Sequence, residues 1–473
     1  METYDGITFC YGGVKPMIKH FLIFAIILSP LAAKKTFYKE HILQYMTKEN
    51  PYFYKMIGEI YIREAEEKFA RGALDTQINT RYDDKKYPTT SGTYQYADIT
   101  KPLLNGMELS LAYRNAQGVQ EYNNIVTGKN GEMLAGVKIP VFSLLNNMSK
   151  NMVDIGLSKL NTKYDKETSR VNINTLYLNI FQAYYQILLY KEIYGTEEEL
   201  FEKAKKNKRF ISRHIEIGKL PPIALAEMES LEIQRKQRLL YAKNAYENAK
   251  NTFLQYLGIP KSIFNKKFKL PSLSHNLPYV LSQEIALKKA LDNRSELKQI
   301  NYQEKKNSLN KEFNTLEKYP KFNVGLYGSH DFQYNEGYKV TFDLSMPIER
   351  RRYQGRDEAL QKNALLLESR KATLIREITT QINNILQKMR MIKETISLSK
   401  QEISLAKKVE KAEHKKFEEG VSTLIFLNQR EMNTLYTKQK LLNYYYELLI
   451  LKINLDFQMG IESKRLTLNE ERS

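Results

Sequence analysis

The chain has 473 residues, and its composition already excludes several classes of protein. Hydrophobic residues make up 42% and charged residues 27%, so the chain is not intrinsically disordered. A mean hydropathy of −0.52 excludes a polytopic helical membrane protein. The single cysteine, Cys10, excludes a disulfide framework and a cysteine-rich zinc site. Only 21 glycines and 13 prolines interrupt the chain, which favours long secondary-structure elements.

Residues 1–33 are interpreted as a signal region, with Met17 as an alternative start. Lys15 and Lys19 precede an apolar run over 21–28 that is too short to span a bilayer. Small residues that would suit a signal-peptide cleavage site follow, and the last of them is Ala33. The alternative interpretation is a buried N-terminal helix. The favoured one predicts an exported protein whose mature form lacks cysteine, which suits an oxidising compartment.

The remainder of the chain looks duplicated. Three landmarks recur in the same order, each with the same residue type, and 40 residues separate the last two in both copies. These landmarks are Pro140, Gly218 and Gly258 in the first copy and Pro347, Gly420 and Gly460 in the second. We therefore expect a first repeat over 34–258, a connector over 259–280, a second repeat over 281–460 and a polar tail over 461–473.

Each repeat contains a long helical pattern that ends at a glycine. Apolar residues recur in steps of three and four from Ile378 to Ile403 and from Ile173 to Ile215, a period typical of coiled coils. About seventy helical residues would extend roughly 100 Å. Gly218 and Gly420 are predicted hairpin tips, because glycine adopts the left-handed conformation that ends a helix. Returning helices are expected over 221–257 and 421–459, and shorter helices near 38–71 and 281–318.

Before each proline landmark the period changes to two, which predicts β strands. Val340, Phe342 and Leu344 form the apolar side of one strand, and we expect them to face lipid. Each repeat is expected to supply one hairpin, with exposed loops over 84–105 and 115–131. Four strands per chain cannot close a barrel, and open edges are not tolerated in lipid, so several copies must share one; three copies would give twelve strands.

No pattern of catalytic or cofactor-binding residues is found. The six histidines do not form a zinc-protease helix, and neither a phosphate-binding glycine loop nor a nucleophile elbow is present. The sequence predicts no enzyme activity, no cofactor and no metal site. The net charge of +19 is spread along the chain, so nucleic acid is not an expected partner.

The order of these elements resembles that of the TolC-like outer-membrane efflux proteins. The segments EIGKLPPIALAEMES and EEGVSTLIFLNQREM look like the two helix tips of that family. The resemblance implies a mostly α fold: a long coiled-coil α-barrel plus a shared transmembrane β-barrel, internally duplicated and trimeric. It implies a passive outer-membrane channel with a periplasmic extension, working with a periplasmic adaptor protein and an inner-membrane pump in efflux or type I secretion.

The resemblance also assigns roles to individual residues. The adaptor would contact Gly218, Lys219, Leu220, Pro221, Gly420, Val421 and Ser422. Pro140 and Pro347 would be strand-to-helix turns. A constriction would involve Phe426, Asn428 and Gln429, where some members carry aspartates, so an acidic ring is not expected here.

Two other functions compete with the channel. A periplasmic coiled-coil adaptor or scaffold would have no pore and usually a single long hairpin, whereas this sequence predicts two. A secreted helical surface protein would lack alternating strands beside the two prolines.

Overall fold

The computed structural model describes residues 34–88, 91–118, 126–275 and 277–461, so the predicted signal region and residues 462–473 of the predicted tail lie outside it. Within these residues the chain is mostly helical. The helices are α1 (Pro51–Arg71), α2 (Val141–Leu145), α3 (Lys150–Glu216), α4 (Ile223–Leu257), α5 (Lys261–Lys267), α6 (Gln283–Asn293), α7 (Ser295–Leu316), α8 (Arg351–Glu418) and α9 (Leu424–Gln458). Short 3-10 segments span Lys39–Tyr45 and Gly72–Leu74.

The two long helices have nearly the same length, 67 residues for α3 and 68 for α8, and each is followed by a 35-residue helix, α4 or α9. Each long helix extends about 100 Å. The α3 helix begins where the Ser149 hydroxyl accepts a hydrogen bond from the Met152 N–H at 3.1 Å. Helices of this length are stabilised mainly by packing against other helices. The apolar face of α8 provides such packing, because Ile378, Ile382 and Met389 are fully buried.

The helices form one layer, and their contacts define the order in which they lie side by side. Toward the helix tips, α3 packs against α4 on one side and α9 on the other, and α9 packs against α8. The order is therefore α4–α3–α9–α8, with α4 and α8 at the two ends. Toward the sheet, α1 packs on α3, and α7 packs on both α3 and α8.

The strands form one large sheet and one small one. They are β1 (Lys35–Thr36), β2 (Gln77–Lys86), β3 (Ser91–Pro102), β4 (Glu108–Gly118), β5 (Glu132–Pro140), β6 (Phe268–Lys269), β7 (Lys321–Asp331) and β8 (Asn335–Ser345). The six-stranded sheet has the order β2-β3-β4-β5-β7-β8, and every neighbouring pair is antiparallel. Strands β1 and β6 pair in parallel, which ties the start of the described chain to the connector.

The first repeat differs from the expected single hairpin, because it contributes four strands, β2 to β5. Much of the segment expected as a loop over 84–105 is strand β3, and residues 115–118 complete β4. The loop prediction over 84–105 was wrong because β3 alternates weakly, with Gln95 and Ala97 beside Ile99 on one face. In the loop predicted over 115–131, residues 126–131 are indeed outside the strands, and residues 119–125 lie outside the described part of the chain. Ladders with β2 on one side and β4 on the other hold β3 in place, and neither ladder leaves a periodic signal in the sequence.

The main hydrophobic core lies where the short helices meet the long ones. Phe37 is fully buried, and its ring centroid lies 5.0 Å from that of Phe268, 5.3 Å from that of Phe264 and 5.8 Å from that of Phe253. Among the described residues, no helix combines the length and apolar character needed to cross a bilayer. The fold class predicted from the sequence, long helical hairpins with a β portion, is confirmed.

Candidate functional site

The two helix tips share one backbone geometry. Gly218 has φ +71° and Gly420 has φ +79°, both in the left-handed region. The N–H of the next residue then donates back into the helix: Lys219 to the His214 carbonyl at 2.7 Å, and Val421 to the Lys416 carbonyl at 3.0 Å. This is the Schellman arrangement, in which glycine avoids the steric cost of a Cβ. The sequence duplication therefore extends to individual hydrogen bonds.

The tips lie together at one end of the helical layer. A small core joins all four helices there, and the ring centroids of Phe210 and Phe417 are 5.6 Å apart. Leu220 packs against this core, and Ser422 turns inward to donate a hydrogen bond to Glu413, whereas Gly218, Lys219 and Pro221 are exposed. Large apolar side chains remain exposed at this end: Ile217, Ile223, Val421, Ile425 and Phe426. Clustered exposed apolar residues of this kind mark protein interaction surfaces.

A buried polar network lies behind the tips. Arg235 of α4 is 2% exposed, and its Nη2 donates to Glu431 Oε2 of α9 at 2.5 Å and to Asn428 Oδ1 at 2.7 Å. Its Nη1 donates to the Leu200 carbonyl of α3 at 3.2 Å. Asn207 of α3 donates to the other Glu431 oxygen at 3.3 Å. The network therefore ties three helices from both repeats together.

The sequence analysis missed this network, although a signal was present. Met228, Arg235, Ala242 and Ala249 are spaced by seven residues and are all buried, so a charged residue occupies a position in an otherwise apolar seam. A charge at such a position must be paired, because an isolated buried charge is strongly destabilising. The partner on α9 could not be identified without the structure.

Further ion pairs connect α3 to α8 and α9. Lys203 Nζ lies 2.5 Å from Glu410 Oε1, and Lys438 Nζ lies 2.8 Å from Glu199 Oε2. Burial is the largest single influence on Lys203 and would lower its pKa, but the hydrogen bond to Glu410 and the charges of Glu410 and Glu199 together outweigh it, so the pKa is raised. Burial is likewise the largest single influence on Glu199 and would raise its pKa, but the hydrogen bonds and charges of Lys438 and Lys203 together outweigh it, so the pKa is lowered.

The three residues expected at a constriction do not share one environment. Phe426 is 52% exposed and Gln429 is also exposed, on the side of α9 that carries Tyr436. Asn428 is partly buried and accepts the hydrogen bond from Arg235. The structure therefore brings Phe426 and Gln429 to one exposed face and directs Asn428 into the bundle.

The two faces of the large sheet differ in chemistry. Val340, Phe342 and Leu344 are 43%, 67% and 70% exposed on one face, and they oppose other apolar residues of β7. The other face is concave and polar, around a cavity of 240 Å³. Its lining includes Asp98, Glu108, Arg114, Lys138, Tyr327 and Lys339. An apolar outer and polar inner face is the pattern of a membrane barrel wall.

The two prolines lie where strands give way to helices. Pro140 is the last residue of β5 and immediately precedes α2. Pro347 lies between β8 and α8. Both line a 440 Å³ cavity at the junction of the sheet and the helical layer.

Both layers end in edges that have no neighbour within the described part of the chain. The sheet ends in β2 and β8. The helical layer ends in α4 and α8, and each of these helices exposes an apolar stripe with seven-residue spacing. The stripes are Ile233 and Leu240 on α4, and Met391, Leu398 and Leu405 on α8. Such spacing is the signature of a helix seam that lacks its partner.

Neither a protein-family model nor a curated protein matches the sequence. Solved structures do match in fold. The outer membrane protein VceC of Vibrio cholerae aligns with a TM-score of 0.67 at 11% identity, over 89% of this chain and 95% of VceC. CusC, a protein described as folding to form a transmembrane channel, aligns with a TM-score of 0.66 at 13% identity, over 89% of this chain and 91% of CusC. The CmeC outer membrane channel of Campylobacter jejuni aligns with a TM-score of 0.63 at 12% identity, over 89% and 85%. The chain has the fold of these proteins.

Proposed function

We propose that this chain is the outer-membrane channel component of a tripartite efflux pump or type I secretion system. Three copies would enclose one passage that conducts substrates from the periplasmic side to the exterior. One observation carries the proposal: within the described residues the sheet ends in the open edges β2 and β8, and the helical layer ends in α4 and α8, each with an exposed apolar stripe. The likeness in fold to the outer membrane protein VceC and to the CmeC outer membrane channel supports the same conclusion.

The physical argument begins with the sheet. An open edge exposes unpaired backbone groups, which lipid cannot satisfy, so β2 and β8 must be paired in a membrane. Copies arranged in a ring satisfy both edges at once, with Val340, Phe342 and Leu344 facing lipid. The same ring would bring α8 of one copy against α4 of the next, burying the exposed stripes. The helices would then continue the passage into the periplasm.

The helix tips are the proposed contact site of a periplasmic adaptor, which links the channel to an inner-membrane pump. Val421 is 72% exposed and Ile223 is 63% exposed, beside the glycine turns. An apolar end surface of this kind suits a helical partner with its own apolar tip. The channel itself would perform no chemistry. The alternative of an adaptor without a pore lacks such support, because CusC and CmeC, which are similar in fold, are described by channel formation and as a channel.

The test is to express the full precursor in a diderm bacterium and to follow it through fractionation. We expect it in the outer membrane as an oligomer that resists detergent until heated. The purified oligomer should conduct ions in planar bilayers. A water-soluble monomer in the periplasm, with no conductance after reconstitution, would overturn the proposal and favour the adaptor.

A further inference from the structure

The first repeat carries one hairpin more than the sequence predicted, β2–β3, and its place in the assembly decides the size of the barrel. We propose that all six strands of each copy belong to the barrel wall, so that three copies close a barrel of eighteen strands. This inference rests on the proposed channel function. In the competing arrangement, three copies close a barrel of twelve strands. There β8 pairs with β4 of the next copy, and the β2–β3 hairpin lies outside the barrel wall.

The register of the sheet supports six strands. One row of directly opposed residues crosses the whole sheet: Gln77, Thr100, Ser110, Gly136, Tyr327 and Lys339. Gln77 is the helix-side end of β2, Thr100 lies two residues from the end of β3 at Pro102, and Gly136 lies four from Pro140. Lys339 lies six residues from Ser345, the end of β8. The row therefore climbs by six residues across the sheet, in steps of zero or two, and its first step lies between β2 and β3.

That climb corresponds to a barrel-like tilt. Six residues at about 3.3 Å each rise roughly 20 Å, while five strand spacings of about 4.8 Å cover roughly 24 Å. The strands are thus inclined by about 40°, within the range of about 35–45° found in closed membrane barrels. Because β2 and β3 share this stagger with the other four strands, they continue the same wall.

The polar lining also continues into β3. Tyr96 and Thr100 both donate hydrogen bonds to Asp98, at 3.1 and 3.0 Å. All three residues line the same concave cavity as Tyr327 of β7 and Lys339 of β8. The curvature of the sheet therefore includes β3, and the polar side of β3 faces the same concave cavity.

The apolar face continues into the helix-side end of the β2–β3 hairpin. Ile78 of β2 directly opposes Ile99 of β3, and Ile99 opposes Leu111 of β4. All three side chains are exposed, at 73%, 46% and 46%. The outer face of the extra hairpin is thus apolar at its helix-side end, and Thr80 and Gln95 follow on the same face farther from the helices.

The two edges fit each other in direction and charge. β2 leaves the helices and β8 returns to them, so β2 of one copy meets β8 of the next in antiparallel orientation, as throughout the sheet. Continuing the six-residue climb places Asp83 of the next copy opposite Lys339. Opposite charges at directly opposed positions stabilise strand pairs. An eighteen-stranded barrel would be about 1.5 times as wide as a twelve-stranded one, and wide barrels of this class enclose aqueous channels.

Disulfide trapping between copies tests the closure in the full-length protein with Cys10→Ser. The first variant combines Asp83→Cys with Lys339→Cys, and a second combines Lys85→Cys with Lys339→Cys to cover a further two-residue step of the climb. The rival variant combines Arg114→Cys with Lys339→Cys, because closure of β8 on β4 would oppose these two positions. The corresponding single-cysteine variants are the controls. Native gels first establish that each variant is a trimer.

We expect one of the first two pairs to give covalent trimers on denaturing gels under mild oxidation, and the rival pair to give none. Cross-linking of the rival pair instead, or trimers that cross-link at neither 83 nor 85, would overturn the inference while leaving the channel intact. Absence of any oligomer would instead mean that the proposed function fails. As an independent measure, imaging of the wild-type trimer in lipid nanodiscs should count eighteen strands, and twelve would overturn the inference.

Discussion

Arg235 Nη2 and Glu431 Oε2 lie 2.5 Å apart, and both side chains are 2% exposed. The pair joins α4 of the first repeat to α9 of the second, across 196 residues of sequence. A buried ion pair adds little net stability over an apolar pair, but loss of one partner leaves a buried charge without compensation. The pair therefore fixes how the two helical hairpins fit together close to their tips.

Replacing Glu431 with glutamine should destabilise the helical layer strongly. Arg235 would lose its counter-charge in a buried site, which costs about 3–5 kcal/mol in comparable proteins. Denaturant unfolding followed by circular dichroism measures the change. The matched control is Glu402→Gln, which removes the exposed partner of Lys440 at 3.1 Å and should change stability by less than about 1 kcal/mol. Equal effects of the two variants would contradict the assigned role of Arg235.

A lysine at Phe342 should prevent assembly in the membrane. Phe342 is 67% exposed on the apolar face, and a lysine facing the bilayer midplane costs about 2–4 kcal/mol. The control is Thr341→Lys, at the same depth but on the polar face, which should assemble normally. Assembly is measured on denaturing gels of outer-membrane fractions, as the change in electrophoretic mobility between unheated and heated samples. If Phe342→Lys assembles as well as Thr341→Lys, the two faces have been assigned the wrong way round.

An aspartate at Leu398 should weaken the contact between copies. Leu398 is the centre of the exposed stripe on α8 and is 65% exposed in a single copy. Burying the new charge in a helix seam would be unfavourable, so we expect dissociation into monomers that retain helical circular dichroism. Ser397→Asp places the same charge beside the stripe and is the control. Light scattering in detergent reports the mass, and a stable trimer in Leu398→Asp would show that the stripe is not the seam.

A tryptophan at Gly420 should impair export while leaving the oligomer intact. The position has φ +79°, which is unfavourable for residues with a Cβ, and the turn lies at the proposed adaptor contact. Gly420→Asn is the control, because asparagine tolerates this conformation best among the other residues. Export is measured as dye efflux in a strain that depends on this channel. Normal efflux by the tryptophan variant would place the adaptor contact elsewhere.

The pair of Glu199 and Lys438 should make stability sensitive to acid. Because the pKa of Glu199 is lowered from 4.5 in the folded chain, its contribution is fully present above that pH. The contribution is lost as the pH falls through the lowered value. Unfolding midpoints measured between about pH 3 and 7 should therefore converge for the wild type and Glu199→Gln at the acid end. A constant difference across the range would argue against the ion pair.

The sequence by itself determined the helical hairpins and their tips. Seven-residue periodicity and the absence of proline specify α3 and α8, and glycine specifies the left-handed turns at Gly218 and Gly420, because these signals act between residues close in sequence. The strands with strong alternation, such as β8, were predicted for the same reason.

Only the tertiary structure decided the rest. Strand β3 has a weak alternation and is held by backbone pairing to β2 and β4, so it could not be recognised from its own residues. The partner of Arg235 lies 196 residues away, and nothing local selects Glu431 over the other acidic residues of α9. Local periodicity fixes an element, whereas register, edge position and the partner of a buried charge depend on contacts that only the folded chain makes.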